Sequence, residues 1–251
     1  MMPPIQTRVG LILEHDNRFC GRSAYSEWSR EARSPTDLWA TAFGIDVDDY
    51  ARDTLRLLAV CLTSPDARVW PLKLTRLLSS HGDPTVGFFA AQLVTSGRTM
   101  GPGTLAGAAA LLATWVELDD DGRAALLMPA RTQRQRLAGF GVPFRAADER
   151  MVALKAAIDD TPARNGRHWQ AMTAIVQAVA TFADVQPNIS IGSAAVLLDL
   201  GVPPERCGLG LTLLMSHVFL GHAVEAASTD AALQTLPAAA VRYVGPPPRR
   251  S

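Results

Sequence analysis

Two stretches of helical length in this 251-residue chain carry apolar side chains nearly all round. Residues 85–96 present Val86, Phe88, Phe89, Ala90, Ala91, Leu93 and Val94, and residues 205–227 are nearly as apolar throughout. A helix of that kind cannot stand in water; it is enclosed by other elements or covered by a partner chain. The rest of the sequence supplies the enclosing elements, because helix starts and stops recur along most of its length. Ser34-Pro35-Thr36-Asp37 reads as a cap, a first-turn proline and an acid leading into residues 38–43, which Gly44 ends. Asp48 or Asp49 starts a second helix through Leu55, Leu58 and Leu62, and a third spans residues 71–80. Asp83-Pro84 opens the apolar stretch, with Gly97 as its C-cap. Further helices are expected at residues 103–118, 148–158, 169–183 and 189–200, the last between Asn188 and Gly201. Residues 123–138 read as a polar segment, and residues 242–248, rich in proline, read as extended. No alternating strand pattern stands out, so the fold class is all-α.

Charge removes some functions. Lys plus Arg and Asp plus Glu both total 24, so the net charge is zero. A nucleic-acid binder draws affinity from a basic excess, and there is none. Three scattered cysteines, Cys20, Cys61 and Cys207, fit neither a disulfide framework nor a metal-ligand spacing. The first ten residues lack an apolar core of signal-peptide length, and charged or small residues break the apolar runs short of a clean span. The expectation is a cytoplasmic protein with no membrane and no nucleic-acid partner.

Four stretches, taken in order, resemble the citrate synthase superfamily, and within it the citryl-CoA lyase branch that includes the C-terminal module of ATP-citrate lyase. Residues 79–101 (SSHGDPTVGFFAAQLVTSGRTMG) resemble the helix-turn-helix before the family's first active-site loop. Gly139-Phe140-Gly141 resembles the start of its G-F-G-H loop, and Asp148-Glu149-Arg150 its D-P-R. Residues 188–201 (NISIGSAAVLLDLG) resemble the helix that opens N-V-D. Gly221-His222 with Glu225, and then Arg242-Tyr243-Val244-Gly245-Pro246, resemble the closing helix and the Y-V-G-P tail. The likeness covers roughly residues 60–246.

The resemblance implies a helical homodimer with a large domain from residues 31–105 and 187–251, and a smaller inserted domain at 106–186. Residues 1–30 stay unassigned. It also implies an acyl-CoA and a small carboxylic acid as ligands, with CoA thioester as substrate rather than tightly bound cofactor. In such enzymes an aspartate takes a proton from the acyl methyl group, while two histidines hold the developing oxyanions. Carried over residue by residue, the aspartate of N-V-D falls on Ser190 and the histidine of G-F-G-H on Val142. The histidine of the G-P-L-H-G-G loop falls on Thr104 and that of the D-H motif near Pro65. A carboxylate-binding arginine falls on Met215, whereas the arginine of D-P-R is kept as Arg150. Arg150, His222 and Arg242 are then the substrate-binding candidates, Arg242 reaching toward the partner subunit. Gly139, Gly141 and Arg145 are the candidates for holding the CoA thioester.

Neither a hydroxyl that stays protonated at neutral pH nor a valine can move a proton as the family residues do. The expectation is therefore a catalytically degenerate relative. Two other readings stand beside it: an active lyase or synthase with rearranged groups (Arg145, Arg150, His222, Ser190), and a structural or regulatory dimer without ligand. Several residues have plainer readings. His222 fits a histidine bonded to a neighbouring helix as well as a ligand, and His81 fits a helix end. The acids Asp119 to Asp121 fit a solvated cap rather than a metal site. Gly97, Gly101 and Gly103 lack the strand and lysine of a phosphate loop. The apolar helix at residues 85–95 is the expected dimer contact.

Overall fold

The computed structural model describes residues 6–95, 101–142, 146–229, 238–240, 242, 244 and 245. The expected all-α class is borne out: eleven α-helices carry most of the described residues. One small exception opens the chain. Strands β1 (Gly10–Ile12), β2 (Asn17–Phe19) and β3 (Arg22–Ser23) form an antiparallel sheet in the order β1-β2-β3. Strands of two or three residues are too short to display an alternating pattern, which is why the sequence shows no sign of them. Trp28 anchors the sheet: its ring meets Phe19 edge-on and its Nε1 donates to the Phe19 carbonyl at 2.9 Å. The Arg22 guanidinium lies over the same ring, 4.5 Å from its centre.

A short π-helical turn, Ala24–Trp28, runs into α1 (Ser29–Glu31). In α2 (Pro35–Phe43) the capping differs in detail from the expected pattern. Ser34 stands at the N-cap without a side-chain bond to the backbone; instead Asp37 reaches back to accept from the Arg33 N–H at 2.8 Å. Gly44, at φ 88°, ends the helix as expected. Asp48 caps α3 (Asp49–Cys61) by accepting from the Ala51 N–H. Then come α4 (Trp70–Ser80), which ends at His81, and α5 (Pro84–Thr95). The expected C-cap of α5, Gly97, lies outside the described residues.

Next are α6 (Pro102–Trp115) and α7 (Asp120–Gln133). The second corrects the sequence reading, which had a polar segment there. Asp119 accepts from the Gly122 N–H, so the acidic run opens a helix instead of merely closing the one before. That helix buries only Leu127 and carries Pro129 inside it, so it has no apolar stripe to read. The chain continues with α8 (Glu149–Asp159), α9 (Arg167–Ala180), α10 (Ile189–Asp199) and α11 (Cys207–Ala227).

The chain divides into two units. The larger joins Met1–Pro65 with Gln92–Val218, and the smaller joins Asp66–Ala91 with Phe219–Ser251. In the larger unit α10 is the centre, with every residue from Ile189 to Leu198 buried. Small side chains let its neighbours approach: a Cβ on Gly192 would lie 2.6 Å from the Met151 sulfur of α8. Leu105, Ala108, Ala109 and Leu112 of α6, with Ile175 and Val179 of α9, complete this core without exposure.

In the smaller unit, α4 and the first turns of α5 pack through Gly87, where a Cβ would lie 2.0 Å from the Ser79 hydroxyl. Val86 and Phe89 of α5 are exposed, as are Leu93 and Val94 in the last turn of α5, which belongs to the larger unit. On α11, Leu220 and Val224 are exposed in the smaller unit and Leu209 in the larger. The segment Pro204–Ala227 is long and apolar enough to cross a membrane by length and composition, but it also supplies Leu211 and Leu214 to the core.

Candidate active site

The glycine loop and the start of α10 are stitched together by backbone. The Gly141 N–H donates to the Gln186 carbonyl at 2.8 Å, and the Asn188 N–H donates to the Gly139 carbonyl at 2.9 Å. The Asn188 side chain works in both directions: its Nδ2 donates to the Gly141 carbonyl at 3.0 Å, while its Oδ1 accepts from the Ser190 N–H at 3.0 Å. Gly139 (φ 84°) and Gly141 (φ 94°) both hold left-handed conformations. At Gly139 space also matters, because a Cβ there would lie 2.5 Å from the Ile191 Cβ. Val142, half-buried, follows this stitched loop directly, and Ser190, buried, sits in the first turn of α10.

Asp148 completes the junction and was passed over in the sequence, where only the arginine of its motif drew attention. It caps α8 by accepting from the Arg150 N–H, and its other oxygen accepts from the Ile189 N–H at the start of α10, at 2.9 Å. Arg150 grips the same carboxylate with Nε at 2.9 Å and Nη2 at 3.0 Å. Burial pushes the Asp148 carboxyl up, but the Arg150 guanidinium and these two backbone N–H groups outweigh it and hold the carboxyl below the usual carboxylate range. Four donors on two oxygens use the full acceptor capacity of a carboxylate. The signal for this role was present in an aspartate two residues before an arginine at a helix start, but its second partner lies 41 residues away.

Beside the loop is a hollow of about 410 Å³, lined by Val176, Phe182, Asp184, Val185 and Gln186 among others. Gln186 belongs both to this wall and to the backbone stitch that holds Gly141. A second carboxylate, Asp199 at the end of α10, accepts from the His168 and Trp169 N–H groups and from His168 Nδ1, all within 2.9 Å. It caps the start of α9 across 31 residues of sequence, and no local pattern announces it.

The remaining candidates lie apart in the chain. Thr104 is in the first turn of α6, and its hydroxyl donates to the Gly101 carbonyl at 2.9 Å. His222 belongs to the smaller unit, where its Nδ1 is 3.3 Å from the Arg76 guanidinium of α4. Arg76 also pairs with Glu225, and its hydrogen bond and charge pull the Glu225 carboxyl below its ordinary value. His217 bonds instead to Thr63 at 2.9 Å. Arg242 is exposed. Arg145 and Tyr243 lie outside the described residues. Among the described residues, no group of three His, Cys, Asp or Glu side chains is placed to hold a metal.

A helical protein with a glycine loop pinned against a buried, cap-started central helix has the architecture expected from the sequence, the citrate synthase-like fold. The solved structures it is similar to make the comparison concrete. It is similar to citryl-CoA lyase from Hydrogenobacter thermophilus at TM-score 0.84 and 14% identity, over 98% of this chain and 96% of that one. It matches ATP citrate lyase from Methanothrix soehngenii, solved with citrate and coenzyme A, at 0.80 and 14%, over 98% of this chain and 43% of that one. Citrate synthase from Thermotoga maritima gives 0.66 and 16%, over 85% of this chain and 58% of that one. No protein-family model and no curated protein matches the sequence.

Proposed function

We propose that this chain is a citrate synthase/citryl-CoA lyase-like protein that has lost the citrate chemistry and keeps a site for an acyl-CoA or a small carboxylic acid. One observation carries the reading. Where the loop and α10 meet, the carboxylate at the junction, Asp148, already accepts four hydrogen bonds, and the resemblance carries the family's proton-transfer positions onto Val142 and Ser190, which supply no base. A base needs a free lone pair aimed at the proton it removes, and a positioned one contributes about 10²–10⁴-fold to rate. Asp148 is placed as a structural brace for Arg150 and Ile189, not as a substitute base.

Several features favour retained binding. The glycine loop stays rigidly held, and the adjoining hollow is large enough for part of a small ligand. Gly139, Gly141 and Arg145 are the proposed contacts for the CoA thioester, and Arg150, His222 and Arg242 those for a carboxylate. Arg150 would have to be shared with Asp148, and His222 with Arg76, so both would bind more weakly than unengaged side chains. The proposal includes no tightly bound cofactor, a soluble, cytoplasmic location, and the division into a large domain (31–105, 187–251) and a small one (106–186). It also includes a homodimer covering the outer face of α5, where four large apolar side chains stand in the open.

Calorimetry with CoA, acetyl-CoA, citrate and oxaloacetate, followed by a citryl-CoA cleavage assay, tests the reading. The expected result is binding of at least one of these ligands without turnover. Turnover at ordinary enzyme rates that His222→Ala or Arg150→Ala abolishes would establish the active alternative instead. Binding of none would leave a structural dimer.

A further inference from the structure

Among the described residues, β1 has a neighbouring strand on one side only. β1 is an edge strand, and the bonds that hold it to β2 use alternate residues: the Val9 carbonyl accepts from the Cys20 N–H, and the Leu13 N–H donates to the Asp16 carbonyl. With the register Gly10↔Phe19, Leu11↔Arg18 and Ile12↔Asn17, the inward-facing backbone belongs to Val9, Leu11 and Leu13. The N–H and C=O groups of Gly10 and Ile12 therefore face outward. Val9, Leu11, Ile12 and Leu13 are exposed, Ile12 by 83%, and no charge or proline interrupts residues 9–13. Edge strands are ordinarily protected by such interruptions.

Charge flanks the run on both sides, Arg8 before it and Glu14 after it, and both are exposed. When two copies of β1 meet antiparallel about Leu11, Gly10 faces the second copy's Ile12, which matches the outward backbone groups of both. Val9 then faces Leu13, and Arg8 faces Glu14, twice over by symmetry. One register satisfies the backbone, the apolar side chains and the charges together. In the single chain Glu14 lies 3.6 Å from the exposed His15. We infer that β1 pairs with β1 of a second copy of this chain through the Gly10–Ile12 register, making a continuous six-stranded sheet across a two-fold axis.

Three variants of the full chain test this independently of any ligand and of any contact through α5. In the proposed register Leu11 lies opposite its own symmetry mate in a non-hydrogen-bonded pair, where Cα atoms approach to about 4.5 Å, within disulfide reach. Leu11→Cys should give a covalent dimer on mild oxidation, while Leu13→Cys, opposite Val9, should give no more than wild type. Arg8→Glu and Glu14→Arg should each weaken self-association roughly tenfold in sedimentation at low salt. Mixing the two variants, or combining both substitutions in one chain, should restore it. All these residues are exposed, so circular dichroism should be unchanged. Equal crosslinking by Leu11→Cys and Leu13→Cys, or single charge variants that associate like wild type, would overturn the pairing.

Discussion

The carboxylate of Asp148 accepts a hydrogen bond from the Ile189 N–H at 2.9 Å, although the two residues are 41 positions apart in sequence. Because Asp148 also caps α8 and holds Arg150, one buried side chain fixes the starts of two helices and the position of the arginine that the resemblance singles out. Such an arrangement concentrates stability in a single group. Asp148→Ala should destabilise the protein by about 2–4 kcal/mol, combining a lost cap with an orphaned arginine that is only partly hydrated. Urea unfolding followed by circular dichroism measures it, and a loss below about 1 kcal/mol would contradict the bracing role.

The same group predicts an acid dependence. Burial pushes Asp37 and Asp148 up, yet both end below the ordinary value: Asp37 through the Arg33 N–H and Arg52, Asp148 through Arg150 and backbone N–H groups. A depressed folded-state pKa means stabilisation present above the unfolded value of about 3.9 and lost as the pH falls through the folded value. The urea midpoint should hold above about pH 5 and fall steadily below pH 4. Asp148→Asn should be less stable at neutral pH and show a shallower fall in acid.

Gly139→Ala should lose about 2 kcal/mol or more in the same unfolding experiment, since the position combines φ 84° with a would-be Cβ 2.5 Å from Ile191. Gly141→Ala, with a similar φ of 94° but open space around it, should cost about 1 kcal/mol. The difference between the two variants isolates the contact of the loop with α10.

Cys207 should be inert in the folded protein. Burial, aided by the charge of Glu205, pushes its thiol up to about 12, and its sulfur lies 3.5 Å from the Pro203 carbonyl. Thiolate is the reactive form, so titration with a disulfide reagent at pH 8 should leave one of the three thiols unreacted until denaturant is added. Mass spectrometry should place the unreacted thiol at Cys207.

Restoring the family side chains is the most demanding test of the functional reading. Ser190 lies in the first turn of α10, where a helix N-terminus favours an acid, so Ser190→Asp should be accommodated. Together with Val142→His it should raise citryl-CoA cleavage by about 10²-fold over wild type. No gain at all in a folded double variant would show that these two positions are not the proton-transfer positions.

The large features could be read from the residues because their causes are local. Gly44 and Gly201 stop helices where they stand, Asp48 and Asn188 cap where they stand, and a largely apolar α11 must contribute to a core wherever it lies. What escaped was either too short or too polar to leave a periodic trace. β1 to β3 are held by Trp28, beyond their own length, and α7 presents one buried leucine and an internal proline. The candidate loop was visible through Gly139 and Gly141, but the brace beneath it was not.

Most helix positions and the absence of acid and imidazole at Ser190 and Val142 follow from the order of residues, because capping, periodicity and side-chain chemistry act within a few positions. Only the folded chain decided that Asp148 would serve Ile189, that Asp199 would cap α9, and that Arg150 would be engaged by its own neighbour. The Asp148–Ile189 and Asp199–His168 bonds join residues 41 and 31 positions apart, and a buried polar group takes whatever partner the packing of distant helices brings within about 3 Å.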